Sequence, residues 1–487
     1  MQPATRTEVA GFAMKRQIAA VGRTRMALVW AVLLIAVVVA LVSLFSLPVH
    51  AVPALPAGFQ DQVVLQGLDN PTNVEFSPDG RVFVAEKSGL IKVFDGLSDP
   101  TPTTFADLRT NVYNFWDRGL LGLALAPNFP DDPHVYVLYA HDAKVGGVAP
   151  RWGTPGVSSD PCPTPPGATE DGCVVSGRLS RLTASGDTMT GNEKVLLEGW
   201  CQQYPSHSIG DLAFGADGAL YASAGDGASF NFADYGQEGR PRNPCGDPPG
   251  GAGAVLSPPT AEGGALRSQD LRTRHDPVGL DGSILRLDPS TGAAFPGNPL
   301  IDDPAPNARR IVAYGFRNPF RFTMRPGTNE IWAGDVGWTR VEEIDRVPAP
   351  ASRPVDNFGW PCYEGTGRQA GYDGDNLAIC ENLYTAKTAP ARDPYFSYRH
   401  GNQVVPGESC EPGNSSLSGM AFYGGDAYPG RYKNASSSPT TPADAYGRWC
   451  QARTGFPTLP GSALSWPAPR APWIWKLDRV VTCSTWT

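Results

Sequence analysis

The sequence predicts an all-β propeller, and three observations lead there. A unit of apolar residue, Pro/Asp/Gly turn and alternating strand recurs along the chain. Glycine and proline are abundant, 55 and 48 of 487 residues, which favours short strands joined by turns. No convincing long amphipathic helix interrupts the pattern. The clearest copies are "VEFSPDGRVFVAEKSGLIKVFDG" from Val74, "LAFGADGALYASAGDG" from Leu212 and "FTMRPGTNEIWAGDVG" from Phe322. "LALAPNFPDDPHVYVLYA" from Leu123 is a looser copy, and "GSILRLDPSTG" from Gly282 adds a strand and a turn. In each copy the turn residues tolerate positive φ and the flanking strands alternate. A blade takes about 40–45 residues in familiar repeats, and insertions at 141–178 and 232–275 lengthen the spacing here. A β-sandwich or several small β-domains is the alternative.

Composition narrows the setting. Hydrophobic residues make up 41% and charged residues 18%, enough apolar material for a large core. Net charge is −8 and the body carries no Lys/Arg-rich block, which argues against nucleic acid as a partner. Lys15, Arg16, Arg23 and Arg25 precede the apolar run "MALVWAVLLIAVVVALVSLFSL", and Val49-His50-Ala51 follows as a small-x-small site. That order predicts a signal peptide over residues 1–51. An uncleaved signal anchor is the rival, and it would tether the protein to a membrane. In both cases the body is exported, so the nine cysteines read as disulfide formers, with Cys162 and Cys173 closing a Pro/Gly-rich loop. Asn414 and Asn434 open glycosylation sequons.

Residues 58–432 form the expected propeller. Over 433–487 the turn–strand pattern stops, and Ser, Pro and Ala dominate. The expectation is an irregular tail, read either as a flexible extension or as the product of a truncated or frame-shifted reading frame that leaves the last blade incomplete.

Propellers carry ligands on the loops at one end of the channel. Four loops stand out. "SHSIGDL" holds His207, a side chain suited to proton abstraction near neutral pH; a loop-bracing histidine is the alternative. "YGFRNPFRF" sets Arg317 and Arg321 among aromatics, which suits a carboxylate or planar anion, or structural cation–π packing. "GDVGWTRVEEID" offers Asp335, Glu342, Glu343, Asp345 and Gly-flanked carbonyls, an oxygen-rich set suited to Ca²⁺ or a solvated acidic loop. "DNFGWPCYEG" can brace a loop or wall a pocket.

Taken in order, "RGLLGLALAPNF", "HSIGDLAFGADGALYASAGD", "GSILRLD", "GFRNPFRF", "GDVGWTRVEEID" and "NFGWP" resemble the soluble quinoprotein glucose/sorbosone dehydrogenase family, over Leu65 to Tyr432. The resemblance implies a six-bladed β-propeller that binds pyrroloquinoline quinone (PQQ) and Ca²⁺. It implies oxidation of a sugar or related alcohol, with electrons passed to an external acceptor. By position, His207 is the general base and Arg317 lies beside the quinone oxygens with Asn318. Gly337 and Trp338 offer backbone carbonyls to the catalytic Ca²⁺. Glu343 and Phe358 fall where some relatives hold a second Ca²⁺.

The sequence also departs from the family's pattern. Glucose-oxidising members carry an acidic residue before the base, where this chain has Ser206. They carry Gln where Asp117 and Val336 stand here. The sugar-contacting shell is therefore altered, and no quinone-gripping Lys or Arg carries over from the tail. Two other functions remain in competition. One is a non-catalytic propeller that binds a glycan or protein, and the other is a metal-dependent hydrolase such as a lactonase.

Overall fold

The computed structural model describes residues 63–273, 277–352, 354–402, 416–417 and 419–422. The predicted signal segment, both sequons, Cys410, Cys450, Cys483 and the tail from 433 lie outside the described residues.

Four antiparallel sheets dominate. The first is β1 (Pro71–Phe76), β2 (Val82–Glu86), β3 (Leu90–Phe94) and β4 (Thr103–Asp107). The second is β5 (Leu120–Leu125), β6 (His134–His141), β7 (Val175–Ser185) and β8 (Thr188–Gln202). The third is β9 (Ile209–Phe214), β10 (Leu220–Ala224), β11 (Ser283–Leu287) and β12 (Ile311–Tyr314). The fourth opens with β13 (Pro319–Met324), β14 (Ile331–Asp335) and β15 (Val341–Val347). Short β16 (Asp356–Asn357) adds a parallel edge to the third sheet, β17 (Tyr363–Glu364) pairs with β18 (Gly367–Arg368), and β19 (Phe396–Arg399) completes the fourth. Each predicted turn–strand repeat is the hairpin between the first and second strands of one sheet.

First strands lie side by side in chain order, β1 by β5, β5 by β9 and β9 by β13, which is the propeller arrangement. Polar contacts knit them together. Thr72 donates to the Leu120 carbonyl at 2.6 Å and the Asn73 amide to Asp211 at 2.7 Å. Buried Arg321 donates to the Thr72 carbonyl at 2.9 Å, tying the fourth sheet back to the first.

The blades pack face to face, and strand alternation divides each strand between two neighbours. On β6, Val135, Val137 and Tyr139 pack with Phe83 and Ile91 of the first sheet. Tyr136 and Leu138 pack with Leu212, Leu220 and Leu285 of the third. Both faces are thus apolar, which explains why the second strands are buried at almost every position.

Helices are short: α1 (Pro306–Arg310), α2 (Ala370–Gly374), α3 (Ala378–Tyr384) and a 3₁₀ stretch over Gly264–Arg272. Disulfides fasten the irregular segments. Cys162–Cys173 forms as the sequence predicts, joined by Cys201–Cys245 and Cys362–Cys380. Among the described residues no helix is long and apolar enough to cross a membrane.

Candidate functional site

Antiparallel order sends two kinds of loop to the same end of every blade: those entering the first strand and those joining the second to the third. His207 precedes β9, Arg317 and Asn318 precede β13, and Asp117 precedes β5. Asp226 follows β10, and Gly337 and Trp338 follow β14. The tight PDG-type turns occupy the opposite end.

His207 is 4% exposed, and its Nδ1 lies 3.1 Å from Asp226 Oδ1. Its backbone is left-handed, at φ 52°. Two glycines of "AGDG" make that strained turn possible. Gly225 sits so close that a Cβ would collide with the His207 carbonyl oxygen, and the Gly227 N–H donates to that oxygen at 2.8 Å. Asp226 also accepts from the Ala228 N–H at 2.9 Å and the Trp360 indole N–H at 2.7 Å. Its own N–H donates to the Arg317 carbonyl at 2.9 Å, which joins the histidine loop to the arginine loop.

Electrostatics favour a neutral imidazole against an ionised carboxylate. Burial pushes the His207 pKa down, the Arg317 charge adds to this, and Asp226 only partly opposes both. For Asp226, burial acts upward but His207, Arg317 and its hydrogen bonds outweigh it, and the net shift is down. A neutral His with Nδ1 held by a carboxylate leaves Nε2 as the nitrogen able to accept a proton.

Arg317 and Asn318 are clamped by one carboxylate. Asp335 accepts their two backbone N–H groups at 2.9 and 2.6 Å. Arg317 Nη1 donates to the carbonyls of Val336 at 2.9 Å and Gly337 at 2.6 Å, and the guanidinium lies 5.5 Å from the Trp360 ring centroid. Gly337 is required by close approach, since a Cβ would collide with the Val341 carbonyl oxygen. Glu364 caps the same loop, accepting the N–H groups of Trp338 at 2.9 Å and of Thr339 and Arg340 at 2.8 Å. The Trp338 indole N–H donates to the Phe230 carbonyl at 2.7 Å.

The structure thus brings His207, Arg317, Asn318, Gly337 and Trp338 to one end. Glu343 sits opposite Asp335 across β14 and β15, and Phe358 stacks on Phe316 at 4.8 Å. Burial first, then repulsion from Asp335, holds the Glu343 carboxyl well above its usual range.

The Arg317 guanidinium suits an anionic, oxygen-rich cofactor. Arg317 Nε and Asn318 Oδ1 are buried without a hydrogen-bond partner, and so are both carboxylate oxygens of Asp345. The Val336 and Gly337 carbonyls accept from the Arg317 guanidinium, and the Gly337 oxygen would have to leave that cation to hold Ca²⁺. Among the described residues no three His, Cys, Asp or Glu side chains converge as a metal cage.

Sequence reasoning passed over Asp226 and Glu364. The signal for Asp226 lay in the repeat: "AGDG" at 224–227 parallels "AGDVG" at 333–337. A buried acid ends each second strand or follows it within two residues: Glu86 ends β2, Asp142 follows β6, Asp226 follows β10 and Asp335 ends β14. Every one of them accepts backbone N–H groups from a loop at this end. Glu364 carries no such signal, because it lies outside the repeat.

The Glucose / Sorbosone dehydrogenase family profile matches residues 68–242 and 264–436. "Uncharacterized protein slr1608" of Synechocystis is 23% identical over 61% of this chain and 58% of its own length. HIPL1 protein of Arabidopsis thaliana is 24% identical over 80% of this chain and 53% of its own length. The chain therefore spans little more than half of these two relatives. Aldose sugar dehydrogenase YliI of Escherichia coli is 24% identical over 77% of this chain and 76% of its own. Among solved structures, the PQQ-bound aldose sugar dehydrogenase of Streptomyces coelicolor is 21% identical, with a TM-score of 0.44 over 72% of this chain and 74% of that one. The family profile covers more than half of the sequence, and the chain belongs to the Glucose / Sorbosone dehydrogenase family.

Proposed function

We propose that the protein is an exported, quinone-dependent oxidoreductase that oxidises a sugar or related alcohol. The observation that carries the reading is the buried His207–Asp226 pair, joined through the Arg317 carbonyl to the Arg317–Gly337 cluster. His207 Nε2 takes the hydroxyl proton of the substrate while Asp226 fixes the ring through Nδ1. Arg317 supplies fixed positive charge beside negative charge that develops during the reaction, with no reorganisation required at that moment. Trp338, Trp360 and Tyr372, in mutual edge contact at 5.7–6.2 Å, form an apolar wall that limits water.

PQQ, when bound, supplies the two-electron acceptor and Ca²⁺ a Lewis acid beside it. Arg317 and Asn318 would hold the quinone, and the Gly337 and Trp338 carbonyls the ion. Glu343 and the Phe358 carbonyl would hold a second ion. The six-bladed architecture, the external electron acceptor and export belong to the same reading. Three disulfides fit an oxidising compartment.

Reconstitution with PQQ and Ca²⁺, followed by dye reduction across a sugar panel, tests the reading. Quinone-dependent reduction is expected, and its absence with every sugar and alcohol overturns it.

A second reading has its own support. Hedgehog-interacting protein of Mus musculus is 28% identical over 34% of this chain and 22% of its own length. On that reading the propeller binds a glycan or protein without turnover. His207→Ala separates the two, since it removes catalysis but leaves pure binding.

A further inference from the structure

We propose that Trp360 is a positioning residue for the base and the cation together: its indole N–H holds Asp226 Oδ2, and its ring face seats the Arg317 guanidinium. This rests on reading His207 as the base.

Trp360 lies in "NFGWP", which reads from sequence as a loop brace or a pocket wall. It is 4% exposed, and both sides of its backbone are tied. Its N–H donates to the Gly315 carbonyl at 2.8 Å, two residues before Arg317. Its carbonyl accepts from the Gln269 side-chain amide at 2.7 Å. Gln269 and Asn357 exchange a reciprocal pair of amide hydrogen bonds at 2.9 and 2.8 Å, so this anchor is itself fixed. The indole therefore has little freedom, and it meets two charges. Nε1 donates to Asp226 Oδ2 at 2.7 Å, across a sequence separation of 134 residues. The Arg317 guanidinium carbon lies 5.5 Å from the ring centroid. A cation at the ring face polarises the indole and strengthens its N–H as a donor.

The two oxygens of Asp226 have separate tasks. Oδ1 takes the His207 ring at 3.1 Å and the Ala228 N–H at 2.9 Å. Oδ2 takes the indole. Without that donor Oδ1 keeps both of its partners, but the carboxylate turns more unshared charge toward the imidazole. His207 then holds a proton more readily, and its ring is less often the neutral acceptor. His207 also faces Arg317 and, from the loop before β5, Asp117. The Asp226 charge further reaches Asp234, Asp281, Asp335 and Tyr372 on neighbouring segments. Trp360→Phe changes none of these groups: it removes the N–H and keeps an aromatic face for Arg317.

NMR titration of the His207 ring in the full chain, free of quinone, tests this, with His207→Ala assigning the signal. Trp360→Phe is expected to raise the His207 pKa by about one unit, the worth of one hydrogen bond to a charged group. In an Asp226→Asn background the same substitution should leave that pKa unmoved, because the two residues act as a pair. An unchanged or lowered pKa overturns the proposal, as does an equal rise in the Asp226→Asn background. Trp360→Leu separates the ring from the N–H. It should raise the pKa in the same way and also weaken PQQ uptake by about 10-fold relative to Trp360→Phe, the loss of a desolvated cation–π contact. Uptake by both variants with the same affinity overturns the seat for Arg317. Melting curves check each fold. Should Trp360→Phe not fold, the wild-type indole N–H signals report instead. One of them is expected to move both with the His207 titration and in Asp226→Asn, and the lack of any such signal overturns the proposal. The expected pKa shift with no quinone-dependent turnover leaves the Trp360–Asp226 link standing and removes the redox reading instead.

Discussion

His207 illustrates how much a single residue's role depends on its neighbours. The sequence placed it on a loop before a strand, where alone it read as a brace, and only the ordered motifs around it made it the candidate base. Asp226, 19 residues away and hydrogen-bonded to Nδ1, supports the proposed role as base. His207→Ala is expected to lower the turnover of the reconstituted enzyme by about 10²–10⁴-fold, the span of general-base catalysis, measured by dye reduction. The pH profile gives a second test. The neutral ring is the active form, so kcat/KM should rise with pH through the His207 pKa. Burial places that acidic limb below the ordinary histidine value. Asp226 raises the His207 pKa, so Asp226→Asn should move the limb to lower pH while also reducing turnover. A limb that moves to higher pH would contradict the pairing. Stability follows the same sign: a histidine buried neutral costs stability as pH falls below its unfolded value.

At the scale of elements, the hairpins and the loops beside them were legible, and the contacts that shape those loops were not. A tight turn between alternating strands is written locally, so all four first–second hairpins could be found from the sequence. Other local structure had no such text. The long β7–β8 ribbon turns at Gly186 without the repeat's signature, and the segment 370–384 is short helix held by Cys362–Cys380. The Asp335 clamp is also an element-level feature, a strand end that shapes the loop entering the strand beside it. Asp335→Ala strips the acceptor from two buried N–H groups, at about 1–3 kcal/mol each. The expected result is a lower melting temperature together with weaker PQQ uptake, read from the absorbance of the bound quinone. Retained uptake in a destabilised protein would show that the clamp serves the fold alone. Cys201 and Cys245 close a loop across a sequence separation of 44 residues. Replacing both with Ser should cost about 2–5 kcal/mol in denaturant unfolding.

Across the whole molecule, the decisive contacts join residues far apart in the chain. Arg321 reaches Thr72 over 249 positions, and no local pattern announces that contact. The sequence offered Arg321 as an anion-binding candidate beside Arg317. The structure gives it a different partner set, the Thr72 and Phe320 carbonyls, where it straps the fourth sheet to the first. Burial pushes its pKa down, with Asp211 opposing, as expected for a cation held among backbone dipoles. Arg321→Ala should lower the urea midpoint by an amount corresponding to about 1–3 kcal/mol for each carbonyl left unpaired. Unchanged unfolding would show that the strap contributes nothing to closure.

The acids at the ends of the second strands have a consequence of another kind. One repeat, copied around an axis, delivers a carboxylate to the same rim each time. Glu86 and Asp142 steady loops, Asp226 orients an imidazole, and Asp335 grips the turn that bears Arg317. Duplication of a blade thus hands each newcomer a ready anion at the rim, and divergence has only to change what that anion holds. Chemistry could accumulate here by reassigning inherited positions, with the scaffold left as it was.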